Sequence, residues 1–438
     1  MKGEFLDGWK AIATHLEVSV RTAQKWEKEE GLPVRRREGE KPRVYARRSE
    51  IEAWNEHMRA AASRSKRQAA LSRKPLVTGA FACLAILSVT AAWQLVTQPG
   101  LPASIERTGV TFTVLDDNGR VCWTHTFPDL LEAAYNDYES GNMRRRGRLY
   151  WVTDLDSDGW PEVLLVHVPD DANGQTSTLF CFRADGTKRW EFKFGRTVTL
   201  DGRFFPHTYE GSIIGIAENS AKRFLVALGV QQPDFPSQVV LLNPLNGTLV
   251  DDYWHPGRFY ATKLCDLDQD GTNELVLAGI NNPGNGLGHP ALAVLNIPFD
   301  DGKPTTPDYF GNPGGKERAY RLFPRPSLFD AMSFPPSAFG ISCWPNGRLH
   351  LDIGRGNLYK IVYAFDQHLD LQGVYPSDNF LERHTQLYAE NRIIHPAGHE
   401  RQDWEQVLSF PTAPDGNALE IEAMFQEARV KTEDDASK

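Results

Sequence analysis

Apolar and polar positions follow three different patterns along this chain. In the first sixty residues the apolar positions have helical spacing. Ile12, Ala13 and Leu16 form one stripe, Val20, Ala23 and Trp26 a second, and Ile51 and Trp54 a third. The stripes predict helix, turn, helix, hairpin, helix. Glu17-Val18-Ser19 breaks the first helix, and Ser19 is the expected N-cap of a second over Val20 to Glu29. Arg21, Thr22, Gln24, Lys25 and Lys28 then face solvent, and Gly31 to Pro33 stop the helix. "PVRRR", the turn "EGEKP" and "RVYAR" predict a two-stranded wing carrying Arg35, Arg36, Arg37, Lys41 and Arg43. Ser49 to Glu52 reads as a capping box for the third helix.

The second pattern is one unbroken apolar run. No charged residue lies between Lys74 and Glu106, and Leu76 to Val96 would make a helix about 31 Å long. That length matches the hydrocarbon core of a bilayer. Arg59, Arg64, Lys66, Arg67, Arg73 and Lys74 precede the run, which predicts a cytoplasmic N-terminus and an extracytoplasmic C-terminal part. The stretch begins too late for an ordinary cleaved signal peptide.

Beyond residue 110 the pattern becomes short β-rich runs closed by Gly, Asn and Asp turns, among them "EVLLVHV", "STLFCFRADG", "RFLVALGV", "QVVLLNPLNG" and "ELVLAGI". Gly119 and Trp123 are four apart after a strand, as are Gly186 and Trp190, and Asn246-Gly247 closes a similar strand. The tryptophans read as docking residues between repeats. Units recur about every 50 to 60 residues, and about 320 residues at roughly 45 per unit predict a β-propeller of about seven blades. A pair of β-sandwiches is the alternative.

Charge divides the chain at the same place. Residues 1 to 74 hold 18 Lys and Arg against 11 Asp and Glu, whereas the remainder holds 30 against 46. A basic head and an acidic body predict different partners. Five cysteines are too few for a disulfide scaffold. Cys122, Cys181, Cys265 and Cys343 can pair in three ways, and spacing does not choose among them.

Two loops of the body carry candidate chemistry. "DLDSDGWPE" places Asp154, Asp156, Asp158, Gly159 and Glu162 at positions 1, 3, 5, 6 and 9, with the Trp160 carbonyl at position 7. "DLDQDGTNE" repeats this with Asp266, Asp268, Asp270, Gly271, Thr272 and Glu274. Alternate carboxylates around a sharp Gly bend converge oxygens on a hard cation, so structural Ca2+ is expected. Leu165 and Leu277 at position 12 exclude EF-hands. His395 and His399 have ligand spacing for a helix, but Pro396 and Gly398 argue against a helix there. No nucleophile elbow, zinc signature or dinucleotide fingerprint is present, so the chain is not expected to be an enzyme.

On Ile12-Ala13, Leu16, Val18-Ser19, Arg21-Thr22, Trp26-Glu27, Gly31-Leu32-Pro33, Arg43-Val44-Tyr45 and Ser49-x-Ile51, the head resembles the winged helix-turn-helix of the MerR and excisionase type. The resemblance implies a second helix in the DNA major groove, with Arg21, Thr22 and Lys25 facing base edges and Ser19 among the DNA-binding residues. Arg35, Arg36, Arg37, Lys41, Arg43 and Tyr45 would then hold phosphates. The acidic loops resemble those of FG-GAP or VCBS repeat propellers, which implies calcium ligands at the positions named.

The expected organisation is therefore multidomain. An all-α, winged helix-turn-helix DNA-binding head (1–58) leads through a basic juxtamembrane linker (59–74) to a transmembrane helix (75–97). A linker (98–110), an all-β propeller (111–427) and a disordered tail (428–438) follow. Such a chain would be a one-component transcription regulator in a bacterial inner membrane, a homodimer on double-stranded DNA, sensing an extracytoplasmic ligand or protein. The alternative is a membrane-tethered adhesion or scaffold propeller whose head docks a cytoplasmic protein.

Overall fold

A computed structural model describes residues 5–36, 44–68, 99–141, 146–170, 174–200, 203–219, 222–232, 235–281, 288–299, 316–410 and 423–427. The chain divides into two compact units, 1–97 and 98–438.

In the first unit, strand β1 (Phe5–Asp7) precedes helices α1 (Gly8–His15) and α2 (Val20–Glu29). Strands β2 (Arg35–Arg36) and β3 (Val44–Arg47) and helix α3 (Arg48–Gln68) follow. Ser19 caps α2, its Oγ accepting the Thr22 N–H at 3.1 Å. Ile12, Ala13, Leu16, Ala23, Leu32, Ala46 and Ile51 form the core, and Trp26 meets Trp54 at 5.4 Å between ring centroids.

An all-α head is thus corrected. Phe5 to Asp7 pair with β3, giving a three-stranded sheet in the order β1-β3-β2. Of the expected wing, β2 and β3 pair antiparallel, Arg35 facing Tyr45 and Arg36 facing Val44, and residues 37–43 lie outside the described residues. Val20, read as part of the second apolar stripe, is 38% exposed. Ser49 lies inside α3, not at its cap. A DNA-binding helix-turn-helix head of MerR type is not supported by these elements.

The expected membrane span, 75–97, lies outside the described residues. Among the described residues no helix is long and apolar enough to cross a membrane. The longest, α3, carries Arg59, Arg64, Lys66 and Arg67. Single-pass anchoring and an inner-membrane location are therefore not supported, and neither is carried forward.

The second unit is built from antiparallel sheets in sequence order. β4 (Pro102–Thr108), β5 (Thr111–Asp116) and β6 (Val121–Thr126) form the first, so the expected linker 98–110 contains a strand. After helix α4 (Glu132–Glu139) come β7 (Tyr150–Thr153), β8 (Glu162–His167), β9 (Thr178–Phe182) and β10 (Lys188–Lys193). A small hairpin, β11 (Val198–Leu200) and β12 (Arg203–Phe205), leads to the third sheet. That sheet holds β13 (Tyr209–Glu218), β14 (Arg223–Gln231), β15 (Ser237–Leu242) and β16 (Leu249–His255).

The fourth sheet contains β17 (Gly257–Cys265), β18 (Glu274–Asn281), β19 (His289–Leu295) and β20 (Glu317–Leu322). After helix α5 (Ser327–Ala331), the fifth holds β21 (Ser337–Cys343), β22 (Leu349–Arg355), β23 (Tyr359–Phe365) and β24 (Leu371–Pro376). Helices α6 (Asp378–Ala389) and α7 (Ala397–Trp404) then lead to β25 (Leu408–Phe410), which joins the fourth sheet beside β20. Helix α7 forms despite Pro396 and Gly398, because Pro396 takes the N-cap position, where its carbonyl accepts the His399 and Glu400 N–H groups and no N–H is required of it.

The middle strands β14, β15, β18 and β19 are buried along nearly their whole length, as strands covered on both faces must be. Three apolar clusters each join consecutive sheets: the first three sheets share one, the third and fourth another, the fourth and fifth the last. The expected propeller of about seven blades is corrected. Among the described residues there are five sheets of three to five strands beside the hairpin, and a closed ring is not shown.

The Gly and Trp pairs explain how successive sheets dock. Trp123 of β6 donates from Nε1 to the Ala184 carbonyl at 3.1 Å, beside Gly186 in the turn of the next sheet. Trp190 of β10 repeats this on Pro244 at 3.0 Å, with its ring against Gly247. At Gly247, φ is +69° and an added Cβ would stand 2.5 Å from the Trp190 ring. Gly247→Ala combines left-handed backbone strain with that clash, so it is expected to destabilise by at least about 2 kcal/mol in urea unfolding.

A buried histidine adds a pH dependence. His255 is fully buried, stacked on Phe259, with Nε2 2.8 Å from the Tyr320 hydroxyl. Burial drives its imidazole down to about 3. The unfolded chain therefore takes up this proton from about pH 6.5 downward, whereas the folded chain does not until about pH 3. Its contribution is complete above pH 6.5 and is lost as pH falls, by up to about 1.4 kcal/mol per pH unit. Unfolding titrations at pH 7 and pH 5 should show a shallower loss for His255→Gln than for the unaltered chain.

Candidate metal centres

The two acidic loops join the first and second strands of the second and fourth sheets, β7 to β8 and β17 to β18. The same hydrogen bonds recur in both loops. The position-9 carboxylate folds back over the loop: Glu162 Oε2 accepts the Leu155 N–H at 2.9 Å, and Glu274 Oε2 accepts that of Leu267 at 2.8 Å. The position-1 carboxylate accepts from position 6, Gly159 to Asp154 at 3.0 Å and Gly271 to Asp266 at 3.1 Å. These glycines have φ of 91° and 88°, a left-handed conformation that favours Gly over other residues. Ser157 and Gln269, at position 4, also adopt positive φ, 61° and 63°.

These constraints bring carboxylates together. Asp154, Asp156 and Glu162 each offer an oxygen within 4.8 Å of the others, and so do Asp266, Asp268 and Glu274. Asp158 and Asp270, also expected as ligands, lie outside the converging trios. They accept the Trp160 and Thr272 N–H groups, each at 2.7 Å. Trp160 and Thr272 thus occupy equivalent places in the two turns, and the clustering of the acids does not depend on their carbonyls.

Sequence reading missed one partner of each loop. Arg189 binds Glu162 at 2.6 Å and Asp156 at 2.7 Å. Arg318 binds Asp268 at 2.8 Å and Glu274 at 3.0 Å. Both are extra residues at a bulge: the register skips Arg189 between Lys188 and Trp190, and Arg318 between Glu317 and Ala319. Register shifts at the same turn of the other sheets pass over Cys122, Val250 and Gln372. A bulge re-aims a side chain, and only the two sheets with acidic loops place Arg there.

One arginine per loop leaves the acids under-compensated. Burial, then the charges of Asp156 and Asp158, push the Glu162 carboxyl up to about 7, against the Leu155 N–H and Arg189. Glu274 is raised for the same reasons, burial first. Asp158 is also raised, chiefly by burial. In each loop the second position-1 oxygen, Asp154 Oδ1 or Asp266 Oδ1, is buried with no hydrogen-bond partner. A buried carboxylate oxygen left unpaired is costly, and a divalent cation would satisfy both orphaned atoms. The residues fit such an ion.

Beside the second loop, Cys265 is bonded to Cys343, tying β17 to β21 directly before Asp266. Cys122 and Cys181 are free thiols. Burial pushes Cys122 up to about 11 and Cys181 well above its ordinary range, so neither is a ready nucleophile.

A second cluster escaped the sequence reading. Ser327, His384 and Glu400 meet where α5, α6 and α7 pack. Glu400 accepts the Ser327 N–H at 2.6 Å and its hydroxyl at 2.8 Å, and binds His384 Nε2 at 2.5 Å. A nucleophilic relay needs acid and nucleophile on opposite ring nitrogens. Here both lie on Nε2, the Ser327 hydroxyl at 3.5 Å, and His384 is fully buried. This is a clamp at the start of α5.

Of the residues expected to contact DNA, Ser19, Arg21, Thr22 and Lys25 line one shallow concavity along α2. Arg21 and Lys25 are exposed on α2, with Thr22 half-buried between them. Ser19 is occupied by its cap and by the Thr22 hydroxyl at 2.8 Å. Arg35 pairs with Glu50 at 3.2 Å and Arg36 with Glu27 at 2.5 Å, while Tyr45 is buried. In the described part of the expected wing, Arg35 and Arg36 thus each already have a carboxylate partner. Arg37, Lys41 and Arg43 lie outside the described residues.

No family model matches the chain, and no curated protein matches it. The resemblances to MerR-type heads and to FG-GAP or VCBS propellers accordingly find no support in these comparisons. Solved structures similar to it include a protein of unknown function from Bacteroides caccae, 12% identical over 63% of this chain and 78% of that one, with a TM-score of 0.28. The Pseudomonas aeruginosa PilY1 C-terminal domain is 11% identical over 64% and 82%, TM-score 0.29. A Synechocystis apocarotenoid oxygenase variant is 8% identical over 64% and 71%, TM-score 0.22. Likeness at this level carries no argument for or against catalysis.

Proposed function

We propose that residues 98–438 form a binding module, not a catalyst, whose second and fourth sheets are each braced by a calcium-class divalent cation. The observation that carries this reading is the duplicated site: three converging carboxylates around an orphaned, buried Asp154 Oδ1 or Asp266 Oδ1. Oxygen-only donors in a flexible loop suit Ca2+ better than Zn2+ or copper. The cation's role is structural, closing the loop between adjacent strands and offsetting the crowded charge. Thermal unfolding with excess Ca2+ and with EDTA tests it. A higher melting temperature with Ca2+ is expected, and coincident melts would refute it.

A second reading concerns the N-terminal unit and rests on charge alone. Arg21, Gln24, Lys25 and Lys28 are exposed along α2, and Lys25 meets Glu29 at 3.5 Å in a pair that is itself exposed. Such a pair holds its cation weakly, so this face suits a phosphate polymer, and double-stranded DNA is the partner proposed. Gel shifts of the full chain across a salt series should show affinity falling with salt, and Arg21→Ala and Lys25→Ala should weaken binding. Unchanged binding by both variants would remove the assignment.

A further inference from the structure

The first strands of four successive sheets enclose a cavity of about 930 Å³ that neither acidic loop shares. Its wall is formed by β7, β13, β17 and β21, the residues just before β7, Tyr138 of α4 and Asp352 of β22. Among the charged groups on this wall, the cations are not matched by acids. Arg148 precedes β7, its main chain fixed to Ile213 by hydrogen bonds of 2.7 and 2.8 Å. Its guanidinium lies 4.6 Å from the Trp151 ring centroid and donates one bond, from Nη1 to the Ile214 carbonyl at 3.2 Å. Four of its five N–H donors are left over. Lys263 of β17 is exposed on the wall. Among the described residues neither cation pairs with a carboxylate. The one acid on the wall, Asp352, is held by Lys360 at 2.9 Å. The rest of the lining mixes rings and aliphatic groups, among them Trp151, Tyr150, Ile216 and Leu264, with Thr262, Ser342 and glycines.

We propose that this cavity binds a small organic anion, a carboxylate or phosphate carried on an apolar ring. Arg148 and Lys263 would take the anionic head, and Trp151 would flank the ring. A volume of this size lies within the range of small-molecule sites. Arg148 and Lys263 are both exposed at this wall, and a concave surface carrying two cations without acid partners attracts a negative group more than a flat one does. Arg148, already stacked on an aromatic face, presents its fork with little freedom left to lose. The inference names a ligand class for the binding module proposed above, but uses no residue of the acidic loops.

Isothermal titration of the full chain with naphthoate, naphthyl phosphate and uncharged naphthol tests this, in Ca2+ and again in EDTA. Saturable binding of at least one anion is expected, with naphthol at least about tenfold weaker. Lys263→Gln and Arg148→Gln should each weaken the anion about tenfold or more, the usual worth of one charge-assisted hydrogen bond. Both variants should melt with the unaltered chain. Which anion binds identifies the head group. No saturable binding of either anion, equal binding of naphthol, or insensitivity to both substitutions would overturn the proposal. Anion binding without any Ca2+ effect on melting would instead sink the cation reading and leave this one standing.

Discussion

Lys316→Ala is expected to lower the unfolding free energy by about 3–5 kcal/mol, among the largest effects of any single substitution in this chain. Lys316 is 1% exposed; its ammonium meets Asp251 Oδ1 at 2.5 Å and the Asp252 carbonyl at 3.0 Å, and it lies 5.8 Å from the Phe299 ring centroid. Asp251 and Asp252 are themselves fully buried. Removing the ammonium leaves Asp251 deep in the third sheet without this counter-charge. Desolvation, not lost attraction, sets the size of the effect. The double variant Lys316→Met, Asp251→Leu removes both charges at similar volume and should recover most of the loss. Urea unfolding of both variants checks this. Equal losses in the single and double variants would mean that packing, not charge, was disrupted.

Asp154→Asn together with Asp266→Asn should abolish the stabilisation conferred by Ca2+. For one site, ligand at a thousandfold excess over its Kd adds about 4 kcal/mol, so two sites together add about 8. The variant keeps the shape of the position-1 side chain and its bond from Gly159 or Gly271, but gives up the charge. Without Ca2+ it should be no less stable than the unaltered chain, because each loop loses one of its crowded acids. That opposite sign separates a ligand from a residue needed only for folding. A melt that falls equally with and without Ca2+ would assign these aspartates a purely structural turn role.

The two loops were the most legible part of the site. Their register of Asp, Asp, Asp, Gly and Glu fixes local geometry through bonds spanning no more than seven residues. Arg189 and Arg318 were not legible, because each reaches its loop from a strand 27 or more residues away, through a bulge that no local signal marks. The Gly and Trp spacing was readable as sheet docking, since it reports a turn and a strand separated by a fixed distance. What was misread came from extending local patterns to global shape. Strand spacing predicted about seven blades, whereas hairpin β11–β12 and helices α5, α6 and α7 take up chain that the count assigned to blades. In the first unit, the pairing of Arg36 with Glu27 and of Arg35 with Glu50 was not legible, because it depends on how the strands and helices pack.

The central claim is that each acidic loop holds one divalent cation. Counting bound calcium by equilibrium dialysis and atomic emission tests it most directly. Two ions per chain are expected, falling to one in Asp154→Asn, one in Asp266→Asn and none in the double variant. A chain that retains no calcium, or a count unchanged by either substitution, would contradict it.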